Sequence, residues 1–117
     1  MEVVKTRSDL EERTLRFARD IRTFVKQLPR NAASIADGAQ LIRSSGSIGA
    51  NYIEAQEAMS RKDFAMRVKI SRKEAKESKY WLTLLEVPAS LEHEHKRLLR
   101  EVSELLKIFS AIAQKVK

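Results

Sequence analysis

The side chains with the clearest potential for catalysis are the two histidines, which both lie in the stretch Glu92-His93-Glu94-His95. This stretch contains the Glu-x-x-His spacing that di-iron helix bundles use to ligate metal, but those sites need a second such motif and carboxylates from other helices. Two histidines confined to one stretch also leave no way to build a Ser-His-Asp arrangement. Because the chain has no cysteine, thiolate chemistry is excluded as well. We therefore predict a non-catalytic protein without metal or cofactor.

Two other patterns match functional motifs in residue type but lack the structural context that those motifs need. Gly46-Ser47-Ile48-Gly49 has the GxxG spacing of KH domains, but that loop works beside a sheet, and no strand pattern is visible here. The same glycines lack the Gly-Lys-Ser/Thr of a phosphate-binding loop. Glu74 and Glu77 share a helix face, yet no positioned partner makes them a catalytic pair.

A row of cations offers a binding function instead. We call it the helix-three stripe, and its members recur at steps of three, four and three: Lys69, Arg72, Lys76 and Lys79. Such a row follows one face of a helix and could neutralise several phosphates of a nucleic acid. The alternative is an ordinary solvated face. Because no aromatic residues interleave with the row, base-specific recognition has no support.

A second group of residues lies beside this stripe or on the preceding helix and forms either an interface or a polar network. On the other flank of helix three the group comprises Ile70, Glu74, Glu77 and Trp81, and on helix two Arg43, Ser47, Asn51 and Glu54. A lone tryptophan bordered by carboxylates is typical of an interaction surface. We slightly favour packing of the two sets against each other within one chain, with Arg43 or Lys73 pairing a carboxylate.

The charge balance favours anionic partners. The chain has 23 Lys+Arg and 16 Asp+Glu, a formal net charge of +7, and segment 60–86 alone contributes eight bases minus four acids, or +4. Nucleic acid is the first partner that this surplus suggests and a membrane surface the second, although solubility alone accounts for many such surpluses. No apolar leader and no membrane-spanning run are visible, so we expect a cytoplasmic protein that does not enter a membrane.

The elements that carry these residues are predicted to be four helices in one domain of 117 residues. Apolar residues recur at helical spacing over about 8–28, 30–58, 61–86 and 90–116, with Pro29 and Pro88 as breaks. Ser8-Asp9-Leu10-Glu11 is predicted to cap the first helix, and Ser60 with Asp63 the third. The short connections predict an all-α, antiparallel up-down-up-down four-helix bundle.

The second helix carries two apolar arcs. Ile35, Ala39, Ile42, Gly46, Gly49 and Ile53 form the predicted main seam, and Leu41, Ile48, Tyr52 and Met59 form the other arc. The small residues of 44–50 are poor helix formers, but they would let another helix approach closely. A kink near Gly49 is the alternative to the one long helix that we favour.

Four stretches of this sequence carry a family resemblance: Gln40-Leu41-Ile42-Arg43-Ser44-Ser45, Ser47-Ile48-Gly49-Ala50-Asn51-Tyr52-Ile53-Glu54-Ala55, Ser60-Arg61-Lys62-Asp63-Phe64 and Lys73-Glu74-Ala75-Lys76-Glu77-Ser78-Lys79-Tyr80-Trp81-Leu82. Together they resemble the bacterial four-helix bundle proteins encoded in intervening sequences of 23S rRNA genes and in many other bacterial loci. Many of those proteins have proline at the position of Gly49 and glycine at that of Ala55, which indicates a subgroup.

The resemblance implies a bundle that assembles as a homopentamer. It also implies a distant kinship to accessory proteins of diversity-generating retroelements, which are basic and bind nucleic acid together with a reverse transcriptase. The expected partners are therefore further copies of the chain, then RNA or DNA, then another protein. An oligomeric scaffold without a nucleic-acid role is the alternative function.

Overall fold

The protein is a bundle of four helices. The computed structural model describes the backbone of residues 2–116 and the side chains of residues 9–116. Its elements are α1 (Glu2–Lys26), α2 (Ala32–Gln56), α3 (Arg61–Leu84) and α4 (Glu92–Lys115), with a short 3₁₀ helix at Ala89–Leu91 before α4. Each helix packs against the next, and α4 packs back against α1. The all-α, antiparallel four-helix bundle predicted from the sequence is confirmed.

Two helices begin with a side chain that accepts a hydrogen bond from a backbone amide of the first turn. The Ser60 hydroxyl accepts a hydrogen bond from the Asp63 amide at 3.1 Å, as predicted for α3. Asn31 does the same for the amide of Ser34 at 2.9 Å and begins α2. By contrast, α1 begins at Glu2, before the predicted start at Ser8, because no Gly or Pro interrupts helix formation there. The side chain of Ser8 lies outside the described residues.

Apolar positions at helical spacing in α1, α3 and α4 form most of the core. The seam predicted for the first helix is buried at every position: Leu10, Thr14, Phe17, Ile21, Phe24 and Leu28. Its apolar members join buried residues of α3 and α4 in one cluster. Near the end of α4, Ala113 is buried whereas Ile112 is only partly so. This shift has a geometric cause, since a straight α-helix drifts by about 20° per heptad from a strict seven-residue repeat.

In α2 the two apolar arcs exchange the roles predicted for them. Leu41, Ile48 and Tyr52 are buried, and the Tyr52 ring meets the Phe109 ring edge-on at 5.7 Å. Ile35 and Ile53, in the predicted main seam, are 59% and 48% exposed. The prediction was wrong because both arcs are apolar, and only the position of the neighbouring helices decides which one is covered.

Small polar side chains bring α2 and α3 together. The hydroxyls of Ser44 and Ser78 are hydrogen-bonded at 2.8 Å, and both residues are fully buried. Elsewhere along the same interface, Ser71 donates from its hydroxyl to the Ile48 carbonyl at 2.9 Å. Because serine side chains are short, the two backbones can approach closely, and these three buried hydroxyls are hydrogen-bonded. The α2–α3 pair is accordingly the most extensive helix contact in the described bundle.

Two arginines connect α1 to α4. Arg13 donates to both carboxylate oxygens of Glu101, at 2.8 and 3.0 Å. Arg97 contacts Asp20 at 2.8 Å and also pairs with Glu94. The hydrogen bond from Arg97 lowers the pKa of the Glu94 carboxyl, outweighing the opposing effect of desolvation. Bidentate arginine–carboxylate geometry of this kind adds orientation as well as energy.

Helix α2 runs uninterrupted through Gly49, so the long helix that we favoured is observed. A Cβ atom at Gly49 would lie 2.8 Å from Oγ1 and 3.2 Å from Cβ of Thr14. Thr14 is short, buried and hydrogen-bonded to the Leu10 carbonyl, so it has little room to move away. Gly46 differs, because the nearest atom to its added Cβ is Arg22 Nη2 at 3.6 Å, an ordinary contact.

These surroundings predict opposite effects for two chemically identical substitutions. Gly49→Ala should lower the free energy of unfolding by about 1–3 kcal/mol through overpacking against Thr14. Gly46→Ala, the matched control in the same helix, should raise it by up to about 1 kcal/mol through helix propensity. Urea denaturation of both variants checks this pair. A gain in stability for Gly49→Ala equal to that for Gly46→Ala would contradict close packing at Gly49.

Candidate nucleic-acid interface

The helix-three stripe lies on the outer surface of the bundle. The buried face of α3, which includes Val68, Ala75 and Leu82, points toward α2 and α4 and turns the stripe to solvent. Lys69, Lys76 and Lys79 are exposed, and Arg72 is partly buried. At 1.5 Å per residue, the stripe extends about 15 Å along α3.

The stripe keeps its positive charge unneutralised. Among the side chains of residues 9–116, none of its four cations makes an ion pair. The two nearby acids of α3, Glu74 and Glu77, point to the opposite flank and pair with Arg43 of α2 instead. The field of the stripe is therefore directed toward solvent, where it can attract an anion.

Three members of the predicted polar group meet Arg43 in one network between α2 and α3. Arg43 donates to Glu74 at 3.3 Å and also to Glu77, and the Trp81 indole N–H donates to Glu77 at 3.4 Å. The hydrogen bond to Glu74 raises the pKa of the Arg43 guanidinium. Glu74 is buried to 8% exposure, so this arginine supplies the charge that its carboxylate requires. The network lies within one chain.

The remaining members of that group are placed elsewhere. The Asn51 amide donates to the hydroxyl and the carbonyl of Ser47, and it accepts from Arg67 at 3.1 Å. Glu54 is exposed. Ile70 lies, with Lys69, in an open groove of about 730 Å³ that Val116 also lines. The structure thus brings together half of the predicted set and distributes the rest over further places on the surface.

Tyr80 is a surface residue that was not among the predicted site residues. It is 59% exposed, and its ring meets the Trp81 ring at 5.1 Å with an interplanar angle of 76°. Tyr80 follows Lys76 by four residues, so their Cβ atoms lie about 5–6 Å apart on one helix face. The i, i+4 spacing of Lys76 and Tyr80 is the sequence feature that could have identified Tyr80. It places one aromatic ring beside the stripe.

In the histidine stretch, His95 contacts both α3 and α1. The His95 ring Nε2 is 2.7 Å from the Leu82 carbonyl, and the ring stacks on Phe24 at 5.9 Å. Within the described part of the chain, no cluster of three or more His, Asp or Glu side chains is placed to hold a metal ion. No helix of residues 2–116 is both long and apolar enough to cross a membrane.

Comparisons with known proteins agree with the family resemblance. The model of the 23S rRNA-intervening sequence protein family matches residues 7–111. A crystal structure at 1.70 Å resolution, of a protein with unknown function from the S23 ribosomal protein family of Bacteroides thetaiotaomicron, is 30% identical to this chain. The two superpose with a TM-score of 0.81 over 92% of this chain and 97% of that one. No curated protein matches this chain.

Proposed function

We propose that this chain, which belongs to the 23S rRNA-intervening sequence protein family, is a non-catalytic, self-associating bundle that binds the phosphate backbone of nucleic acid. The observation that carries the proposal is the helix-three stripe, whose four cations have no ion-pair partner among the described side chains. A surface row of like charges raises the free energy of the isolated protein, and an anionic ligand relieves that repulsion.

The shape of the stripe suits a polyanion better than a small anion. A row about 15 Å long can face about four successive phosphates at 3.4 Å per nucleotide of one strand. Since the cations sit on a single helix that packs against α2 and α4, their spacing is fixed before binding. Binding should therefore reduce conformational entropy mainly in the stripe side chains. Contacts of this kind hold the backbone and do not read sequence.

Replacing the four stripe cations by glutamine tests this proposal. Glutamine has a helix propensity similar to that of lysine and arginine but carries no charge, so helicity should be unchanged. The slope of log affinity against log salt should fall by about 0.7–0.9 for each phosphate that the variant no longer neutralises. Fluorescence polarisation with generic RNA and DNA at several salt concentrations measures this slope.

A matched control separates the stripe from net charge. Like the stripe variant, it changes one arginine and three lysines to glutamine, here at exposed positions outside the stripe: Arg16, Lys26, Lys107 and Lys115. Both variants have a formal net charge of +3, four below the +7 of the natural chain. We expect the control to keep most of the affinity and the slope. Equal reductions in both variants, or no affinity of the natural chain at about 50 mM salt, would leave only the oligomeric scaffold as the function.

Self-association is the second part of the proposal, and an apolar surface on α1 and α2 supports it. The exposed large side chains of this surface are Leu15, Ile35 and Ile53. Between them lie two open grooves of about 610 and 280 Å³, lined in part by small residues that include Gly46 and Ala39. Small residues flanked by exposed isoleucines permit a helix of another copy to pack closely, and burying them removes apolar surface from water.

Charged substitutions on this surface should dissociate the assembly. We expect light scattering of the natural chain to give a mass of about five times 13.4 kDa, the number of copies that the family resemblance implies. Ile35→Lys with Ile53→Lys should reduce that mass, because both side chains are about half exposed and their replacement costs the fold little. Leu84→Lys, at a similarly exposed apolar site on α3, is the control that should keep the assembly. A monomer at tens of micromolar in the natural chain contradicts this part.

A further inference from the structure

The aromatic pair Tyr80–Trp81 is held in place by a series of side-chain contacts. The Trp81 indole N–H donates to Glu77, and Glu77 accepts from Arg43 of α2. Trp81 in turn meets the ring of Tyr80 in an edge-on contact at 5.1 Å. These contacts fix the orientation of a tyrosine ring that remains 59% exposed.

The Tyr80 ring lies at the C-terminal end of the helix-three stripe. Lys76 lies one helical turn before Tyr80, and Lys79 immediately precedes it. Both lysines are exposed, and neither makes an ion pair among the described side chains. A strand whose phosphates follow the stripe toward the C-terminal end of α3 therefore reaches an oriented aromatic face at its last contact.

We propose that Tyr80 is a stacking platform for an unpaired base and that the stripe consequently prefers single-stranded nucleic acid to a duplex. The inference rests on the proposed function, since the stripe must first hold the phosphate backbone. Cationic tracking of the backbone combined with aromatic stacking is the general mode of single-strand binding. In a duplex the bases are stacked on one another and cannot reach a side-chain ring, whereas a single strand can turn a base outward.

The experiment compares three polyanions on the intact chain. The probes are an unstructured RNA of about 12 nucleotides, the duplex of the same sequence, and inorganic polyphosphate, which has phosphates but no bases. Tyr80→Leu removes the aromatic face and keeps an apolar side chain, and Tyr80→Phe is the matched control that keeps the ring. Because Trp81 is the only tryptophan and touches Tyr80, its fluorescence reports directly on a base that arrives at the pair.

We expect Tyr80→Leu to weaken single-strand binding by about 5- to 150-fold, the usual contribution of one stacked base. Duplex and polyphosphate affinities should stay within about twofold of those of the natural chain, because both depend on the stripe alone. Tyr80→Phe should bind all three probes as the natural chain does. The single strand should quench Trp81 fluorescence, and polyphosphate should not.

The outcomes show which of the two proposals is wrong, the stacking role of Tyr80 or backbone binding by the stripe. If Tyr80→Leu weakens all three probes equally or none of them, while the stripe variant still binds more weakly than the natural chain, the stacking role is wrong and backbone binding stands. The same holds if polyphosphate quenches Trp81 as strongly as the single strand does. If the natural chain binds neither RNA form, both proposals are wrong, and the exposed pair is left as a surface for a protein partner.

Discussion

The close approach of α2 to α3 depends on buried hydroxyl groups, and the placement of the helix-three stripe depends on that approach. Ser44 and Ser78 share a hydrogen bond across the interface, and Ser71 satisfies its hydroxyl on the Ile48 carbonyl. Larger apolar residues at these positions would hold the two backbones further apart, whereas unpaired hydroxyls would each cost about 1–3 kcal/mol. The small, paired side chains meet both requirements.

The rotation of α3 about its own axis follows from this packing. Once Ser71, Ala75 and Ser78 face the interior, the acids at one flank meet Arg43 of α2, and the cations at the other flank face solvent. The spacing of residues separates the charges on α3, and the packing determines that the acids meet Arg43 while the cations face solvent. The same rotation exposes Tyr80 at the end of the stripe while the Arg43–Glu77–Trp81 contacts fix its neighbour.

Features that depend on residue spacing within one helix could be predicted from the sequence. Features that depend on contacts with other helices could not. The seam of α1 and the serine cap of α3 followed from spacing alone, because local hydrogen bonding and a single apolar face determine them. The wrong apolar arc of α2 was predicted to be the main seam, since both arcs have helical spacing and only packing determines which one is buried. The neighbour of Gly49 is Thr14 in another helix, and no local pattern could identify it. The sequence favoured an ion pair of Arg43 or Lys73 with a carboxylate, and the structure shows Arg43 in that pair. The exposure of Tyr80 could be read only from the structure.

The packing of α2 against α3 depends most directly on the hydrogen bond between Ser44 and Ser78. A double-mutant cycle by urea unfolding, with Ser44→Ala, Ser78→Ala and the two combined, measures it. Ser44→Ala should lower the free energy of unfolding by about 1–3 kcal/mol, since it removes the Ser44 hydroxyl that pairs with the buried Ser78 hydroxyl. Ser78→Ala should cost less, because the Ser44 hydroxyl keeps the Leu41 carbonyl as an acceptor at 3.4 Å. The double variant should be destabilised by clearly less than the sum, with a coupling energy of about 0.5–3 kcal/mol. Strictly additive effects, or a single substitution without cost, would contradict the claim that this hydroxyl pair holds α2 against α3.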